Sequence, residues 1–166
     1  MRPLEGVTVV DLSRHLPGPF ASRELLELGA RVIRLLPPTG DPMAELAPAW
    51  HEAMNAGKET VLLDLKAEPE QGRALCAQAD VVVESFRPAT AKRLGVSAEQ
   101  MRARHPRLIH CSITGYGQTG PYANRPGHDL NYIGRAGILS VTGAHDGLPA
   151  IPGVQVADLA GGALLA

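Results

Sequence analysis

Cysteine is nearly absent: the 166-residue chain has two, Cys76 and Cys111. Two thiols cannot build a disulfide framework, so a reducing cytoplasm is the expected compartment. An excess of one charge is lacking as well. Lys and Arg number 16 against 17 Asp and Glu, a formal net charge of −1. That argues against a general nucleic-acid binder, whose phosphate contacts demand a basic surplus. No apolar run approaches the ~20 residues of a membrane span, and no signal-peptide core opens the chain, so no membrane partner is expected. The six histidines are scattered without a Cys/His cluster of zinc spacing, so no metal is expected either. What is present is ordinary globular material, 45 % hydrophobic and 20 % charged. Its length suits one domain.

Strand-like and helix-like runs alternate. Val7 to Leu12 is β-rich, Leu16-Pro-Gly-Pro19 breaks it, and Phe20 to Leu28 carries a leucine stripe that stops at Gly29. Arg31 to Leu36 is a second strand, closed by Pro37-Pro38. Pro38 to Ala56 reads as a long irregular segment. A strand at Thr60–Leu65, a helix at Glu68–Ala79 and the apolar strand Asp80–Glu84 follow. Ser97-Ala-Glu-Gln100 opens a helix to His105 as a capping box, and Leu108–Ile113 is a fifth strand. This alternation predicts an α/β fold with a parallel sheet and right-handed crossovers.

Two compositional shifts point to function. Between Ser85 and Gly127 lie seven Lys or Arg and one acid, Glu99, a local excess of +6. A solvated face explains most such arginines, but Arg87, directly after the Asp80–Glu84 strand, sits where open α/β sheets bind ligands and suits a phosphate-bearing small molecule. Eleven of the 18 glycines follow Thr114, and Thr114-Gly-Tyr-Gly-Gln-Thr-Gly-Pro121 has the look of a binding loop at a strand exit. A dinucleotide is not expected. The first turn reads Pro17-Gly-Pro-Phe-Ala21 rather than Gly-x-Gly-x-x-Gly, and the second strand ends in Leu35-Leu36 rather than an acid. Nor is there a phosphate loop, since Gly57-Lys58 is followed by Glu59.

Among titratable groups, Cys76 and Cys111 read as small buried hydrophobes. Ser112 and Ser140 lack a nucleophile-elbow context. What remains is His128-Asp129, within Gly127-His-Asp-Leu-Asn-Tyr132, and Asp158, alone in an apolar, Gly-rich frame. Asp158 reads equally as a helix N-cap and as a reactive carboxylate.

These segments together resemble the family III coenzyme A transferases, and within them the α-methylacyl-CoA racemase branch. The resemblance runs from Pro3 to the end and rests on the opening strand, Leu16-Pro-Gly-Pro-Phe-Ala21, Asn55-Ala-Gly-Lys58, Ala79-Asp-Val-Val-Val-Glu-Ser-Phe-Arg-Pro88, Arg93-Leu-Gly95 and the glycine loop. It implies a Rossmann-like parallel sheet with helices on both faces and an acyl-CoA substrate, with no cofactor beyond the CoA that substrate carries. It also implies CoA contacts from Ser85, Phe86, Arg87, Arg93, Gly115, Tyr116 and Gly117. Asp158 matches the family's reactive carboxylate, a nucleophile in the transferases and a base in the racemases. Gly127-His-Asp-Leu-Asn-Tyr132 is similar to the racemase motif, making His128 the second base, with Asp129 and Tyr132 orienting or packing around it. A CoA transferase and a catalytically incomplete CoA-binding fragment remain the alternatives.

Some features depart from the family pattern. Leu36 stands where an acid is usual, and no Arg follows Gly40-Asp41. Family members are longer, with a small domain and a returning C-terminal segment, and they form interlocked dimers. Residues 1–166 are therefore expected to be the N-terminal part of a large domain, completed in a homodimer or by a partner chain.

Overall fold

The computed structural model of the protein describes residues 2–166. Its strands are β1 (Thr8–Asp11), β2 (Arg31–Leu36), β3 (Glu59–Leu62), β4 (Val81–Glu84) and β5 (Ile109–Ser112). Its helices are α1 (Pro17–Glu27), α2 (Met43–Leu46), α3 (Pro48–Asn55), α4 (Pro69–Ala77), α5 (Pro88–Leu94), α6 (Ala98–Arg104), α7 (Asp129–Arg135) and α8 (Val156–Leu165). The strands form one sheet in the order β3-β2-β1-β4-β5, every pair parallel. The chain moves outward from β1 to β3, then returns to the other side of β1 for β4 and β5. A switch point therefore lies between β1 and β4.

Alternation along the strands sends side chains to opposite faces. Val10, Leu12, Ile33, Leu35 and Val82 pack with Cys76, Leu94 and Met101 under α4, α5 and α6. Val9, Val32 and Val83 face the other way, against Leu25 and Leu26 of α1 and Leu165 of α8. Burial of each such aliphatic side chain contributes about 1.5–3 kcal/mol, so helices on both faces are what the sheet requires. The expected parallel α/β sheet is the one observed, and β2 has the bounds read from sequence.

The segment from Pro38 to Ala56 is not irregular as expected. It forms α2 and α3, with Pro42 at the start of one and Pro48 in the first turn of the other. A proline there sacrifices no hydrogen bond, because first-turn N–H groups have no helical partner. The short α5 and α7 also escape sequence reading, because neither opens with a Ser-x-x-Gln box like the one that marks α6. By contrast, Ser97 caps α6 as expected, its hydroxyl accepting from Gln100 N.

Beneath α1 lies a buried polar network. Asp11 is wholly buried and accepts from Ser13 N at 2.8 Å, from the Ser13 hydroxyl, and from Ser22 Oγ at 2.5 Å. Arg34, its neighbour in register on β2, is also buried and pairs with Asp41 at 3.0 Å. Lys58 reaches in from the turn before β3, donating to Pro19 O at 2.7 Å, Ser22 Oγ at 2.8 Å and Asn55 Oδ1 at 3.2 Å. Burial pulls its pKa from 10.5 down to about 8, against the pull of Asp11 and helped by Arg34 and Arg23.

On the same face, α8 crosses α1 closely enough that only glycine fits at the crossing. A Cβ on Gly162 would lie 2.7 Å from Pro17 O and 2.8 Å from Phe20 Cδ1.

The Lys58 environment has a signature in pH. The folded chain loses this proton near pH 8 and the unfolded chain near 10.5, so between these values the unfolded state binds more protons. Wild-type stability should therefore rise relative to Lys58→Met as pH goes from 8 to 10.5, as urea titrations of both proteins would show. Gly162→Val should cost about 1–3 kcal/mol, the range for overpacking a tight contact, measured by the same titrations at neutral pH.

Candidate active site

A cavity of about 570 Å3 opens at the carboxyl ends of the strands, at the switch point. The exit of β1 supplies Arg14, His15 and Pro17 to its wall, and the exit of β4 supplies Ser85, Phe86 and Arg87. The exit of β5 adds Ile113 to Tyr116, and the following loop adds Arg125, Gly127 and His128. Asp158 and Gly161 of α8 close it. Three arginines and two histidines thus face a space with a single acid, Asp158.

The local sequence explains how each group is presented. Pro88 holds Arg87 in an extended conformation ahead of α5. Asn124 fastens the neighbouring loop to this helix, its Oδ1 accepting from Ala89 N at 3.0 Å while the Arg87 guanidinium lies 3.5 Å from its carbonyl oxygen. The glycine loop is packed by the chain's three tyrosines. The Tyr116 ring lies 5.2 Å from that of Tyr132 and 5.6 Å from that of Tyr122, with Arg125 and Arg135 over the Tyr122 face at 4.8 and 4.2 Å. Tyr132 comes so close to Gly115 that any side chain there would collide with its ring.

His128 begins α7. Its N–H donates to Asn131 Oδ1 at 3.0 Å, and Tyr132 Oη donates to the Gly127 carbonyl at 2.5 Å, so both neighbours fix the backbone that carries the imidazole. The His15 ring stands edge-on to the His128 ring with centroids 6.0 Å apart. Among the described residues His15 alone is a non-glycine with positive φ, at 69°. Burial lowers its pKa, opposed by Asp41 and reinforced by Arg14 and His128.

Asp158 does not cap α8. It occupies the third helical position after Gln155, which itself offers no side-chain cap. The cap comes from α7: Asp129 Oδ1 accepts from Ala157 N at 2.6 Å and from Asp158 N at 3.2 Å. The carboxylate of Asp129 therefore turns toward α8 rather than toward His128, as the sequence reading had it, because the uncapped N–H groups of α8 are the stronger attraction for an anion. The carboxyl of Asp158 is left uncommitted. Burial raises its pKa, the charge of Asp129 raises it further, and His128 lowers it.

Of the residues singled out from sequence, Ser85, Phe86, Arg87, Gly115, Tyr116, His128, Tyr132 and Asp158 line the one cavity. Arg93, exposed on the last turn of α5, and Gly117 lie outside its wall. Arg14 and His15 were missed, although the rule that selects Arg87 at a strand exit selects them too. Cys76 is buried as expected and its thiol is pushed up to about 12, whereas Cys111 is only half-buried, its pKa raised by that partial burial.

A model of CoA-transferase family III matches residues 4–166. The chain is 41 % identical to a succinate–glutarate CoA-transferase of Agrobacterium fabrum, over 95 % of its own length and 43 % of that protein's. It is 38 % identical to the succinyl-CoA:glutarate CoA-transferase of Mus musculus, over 98 % and 39 % of the two lengths. With the alpha-methylacyl-CoA racemase of Homo sapiens the identity is 36 %, over 98 % and 41 %. A crystal structure of a CAIB/BAIF family protein from Brucella suis superposes with a TM-score of 0.92 at 38 % identity, covering 99 % of this chain and 47 % of that one. The chain thus spans less than half the length of the relatives it matches. With that match extending across sheet, glycine loop and cavity alike, the chain belongs to CoA-transferase family III.

Proposed function

We propose that the cavity takes an acyl-CoA thioester and that His128 and Asp158 exchange the proton on its α-carbon, inverting 2-methylacyl groups as a racemase does. The observation that carries this reading is that a histidine and a carboxyl group, 30 positions apart in sequence, line the same cavity. Inversion needs a proton carrier on each face of the α-carbon, and the enolate between them needs preorganised donors. An imidazole with an ordinary pKa of about 6.5 serves either as acid or as base. A carboxylate returns a proton well only when its pKa is raised, and burial raises that of Asp158. Arg87 and the other cavity arginines suit the CoA phosphates.

A second reading is favoured by the relatives at 41 and 38 % identity, which are named CoA-transferases. In it Asp158 attacks the thioester carbonyl and expels CoA as a thiolate, leaving an acyl-aspartyl anhydride. The thiolate then attacks the Asp158 carbonyl, releasing the donor acid and leaving an aspartyl-CoA thioester. An acceptor carboxylate displaces CoA into a second anhydride, which the thiolate opens at the acceptor carbonyl, giving the new acyl-CoA and free Asp158. A nucleophile works without a base on the opposite face, so His128 separates the two readings.

The discriminating measurement is made on the whole protein with 2-methylacyl-CoA in heavy water. A racemase incorporates an α-deuteron as the configuration scrambles, and His128→Ala or Asp158→Ala abolishes interconversion. Transfer of CoA to an acceptor acid without α-proton exchange, unaffected by His128→Ala, would overturn the racemase reading. For binding, Arg87→Ala should weaken CoA about tenfold, the loss of one charge-assisted contact, and leave pantetheine unchanged in calorimetric titration. Equal, immeasurably weak binding of both to wild type would remove the CoA site from this cavity.

A further inference from the structure

We propose that Asp129 is a positioning residue for Asp158: its carboxylate clamps the first turn of α8 to the first turn of α7 and keeps a second negative charge beside the Asp158 carboxyl. Its catalytic consequence rests on the reading of His128 and Asp158 given above; the clamp itself does not.

Three observations converge. First, α8 has no cap of its own, and the only side chain hydrogen-bonded to its leading N–H groups among the described residues is Asp129, 28 and 29 positions away. Second, the connection between the helices cannot do this work. From Gly143 to Ile151 every residue is exposed, with Leu148 at 89 % and Ile151 at 74 %. Third, α7 is itself well fixed. Ile133 is fully buried, Asn131 Oδ1 holds the N–H of His128, and Tyr132 holds the carbonyl before it. The clamp therefore ties Asp158 to the rigid element that begins with His128. Without it, α8 is anchored near its far end, where Gly162 meets Pro17 and Phe20.

The electrostatic part follows from the same geometry. Asp158 is faced by Asp129, His128 and Tyr132 from the α7 side, and Arg14, His15 and Arg87 share the cavity wall with it. After burial, the charge of Asp129 is what keeps its proton on most strongly, against the opposite pull of His128. One residue thus fixes both the place and the acidity of the group, and the two effects can be separated. Asparagine at 129 retains an oxygen that accepts from both N–H groups but carries no charge. Alanine removes both.

The test follows Asp158 by NMR in the whole protein without substrate. Amide exchange is read at Ala157 and Asp158, and the Asp158 carboxyl carbon is titrated with pH. In Asp129→Asn the two amides should stay protected while the Asp158 midpoint falls. In Asp129→Ala exchange at those two amides should accelerate at least tenfold while the Val10 and Val83 amides of the central strands remain protected. Undiminished protection in Asp129→Ala, or an unmoved midpoint in Asp129→Asn, would overturn the proposal. Because no substrate is present, failure of α-proton exchange in the whole protein would remove the proposed reaction and leave this result standing. Should the alanine variant not fold, the asparagine titration still decides.

Discussion

The carboxylate of Asp11 ends the central strand in a place with no access to water, and the chain must satisfy it from within. It does so by turning Ser13 back on the strand and drawing in Ser22 from α1. That fold-back fixes the path between β1 and α1, and so the position of Arg14, His15 and Pro17 on the cavity wall. Ser22 is held in turn by Lys58, which binds the turn before β3 to the first turn of α1. Arg34 and Asp41 complete a set of charges that no single substitution can leave balanced, the condition under which a broken buried pair costs about 3–5 kcal/mol. One anion in the sheet interior thereby sets the geometry of a wall several residues away.

The cavity forms where it does because of connectivity. Only between β1 and β4 do successive crossovers leave in opposite directions, and only there do strand exits diverge to leave space. Side chains of different chemistry then reach that space from separate segments. Arg14, His15 and Arg87 come from strand exits, Arg125 from the loop beyond β5, His128 from the start of α7 and Asp158 from α8.

Strands were legible in the sequence wherever burial on both faces made them predominantly apolar and β-branched. Arg31–Leu36 and Val81–Glu84 are of this kind, and β2 was bounded to the residue. The edge strand β3 is exposed at all four positions, and its expected extent ran on to Leu65, into the turn after Leu62. Helices α2 and α3 were hidden by prolines that break a helix in its interior but not in its first turn. The cavity residues were legible as strand exits and as motifs. What could not be read was the long-range partner of each polar group. Asp158 resembles an N-cap until the carboxylate of Asp129, 29 residues earlier, is seen in that role. Likewise, no local pattern announces that Lys58 ends at the first turn of α1.

The bond between Asp129 and α8 also bears on how this protein can change over generations. It closes a ring whose interior, the chain between α7 and α8, lies mostly on the surface and carries little of the core. A closed ring isolates its contents mechanically. Residues can be added to or removed from that excursion at a cost of about 0.6 kcal/mol per doubling of its length, with no displacement transmitted to His128 or Asp158. The 14-residue stretch from Thr142 to Gln155 is thus free to diversify in length and composition, and to acquire contacts for new partners, while His128 and Asp158 stay where the clamp holds them.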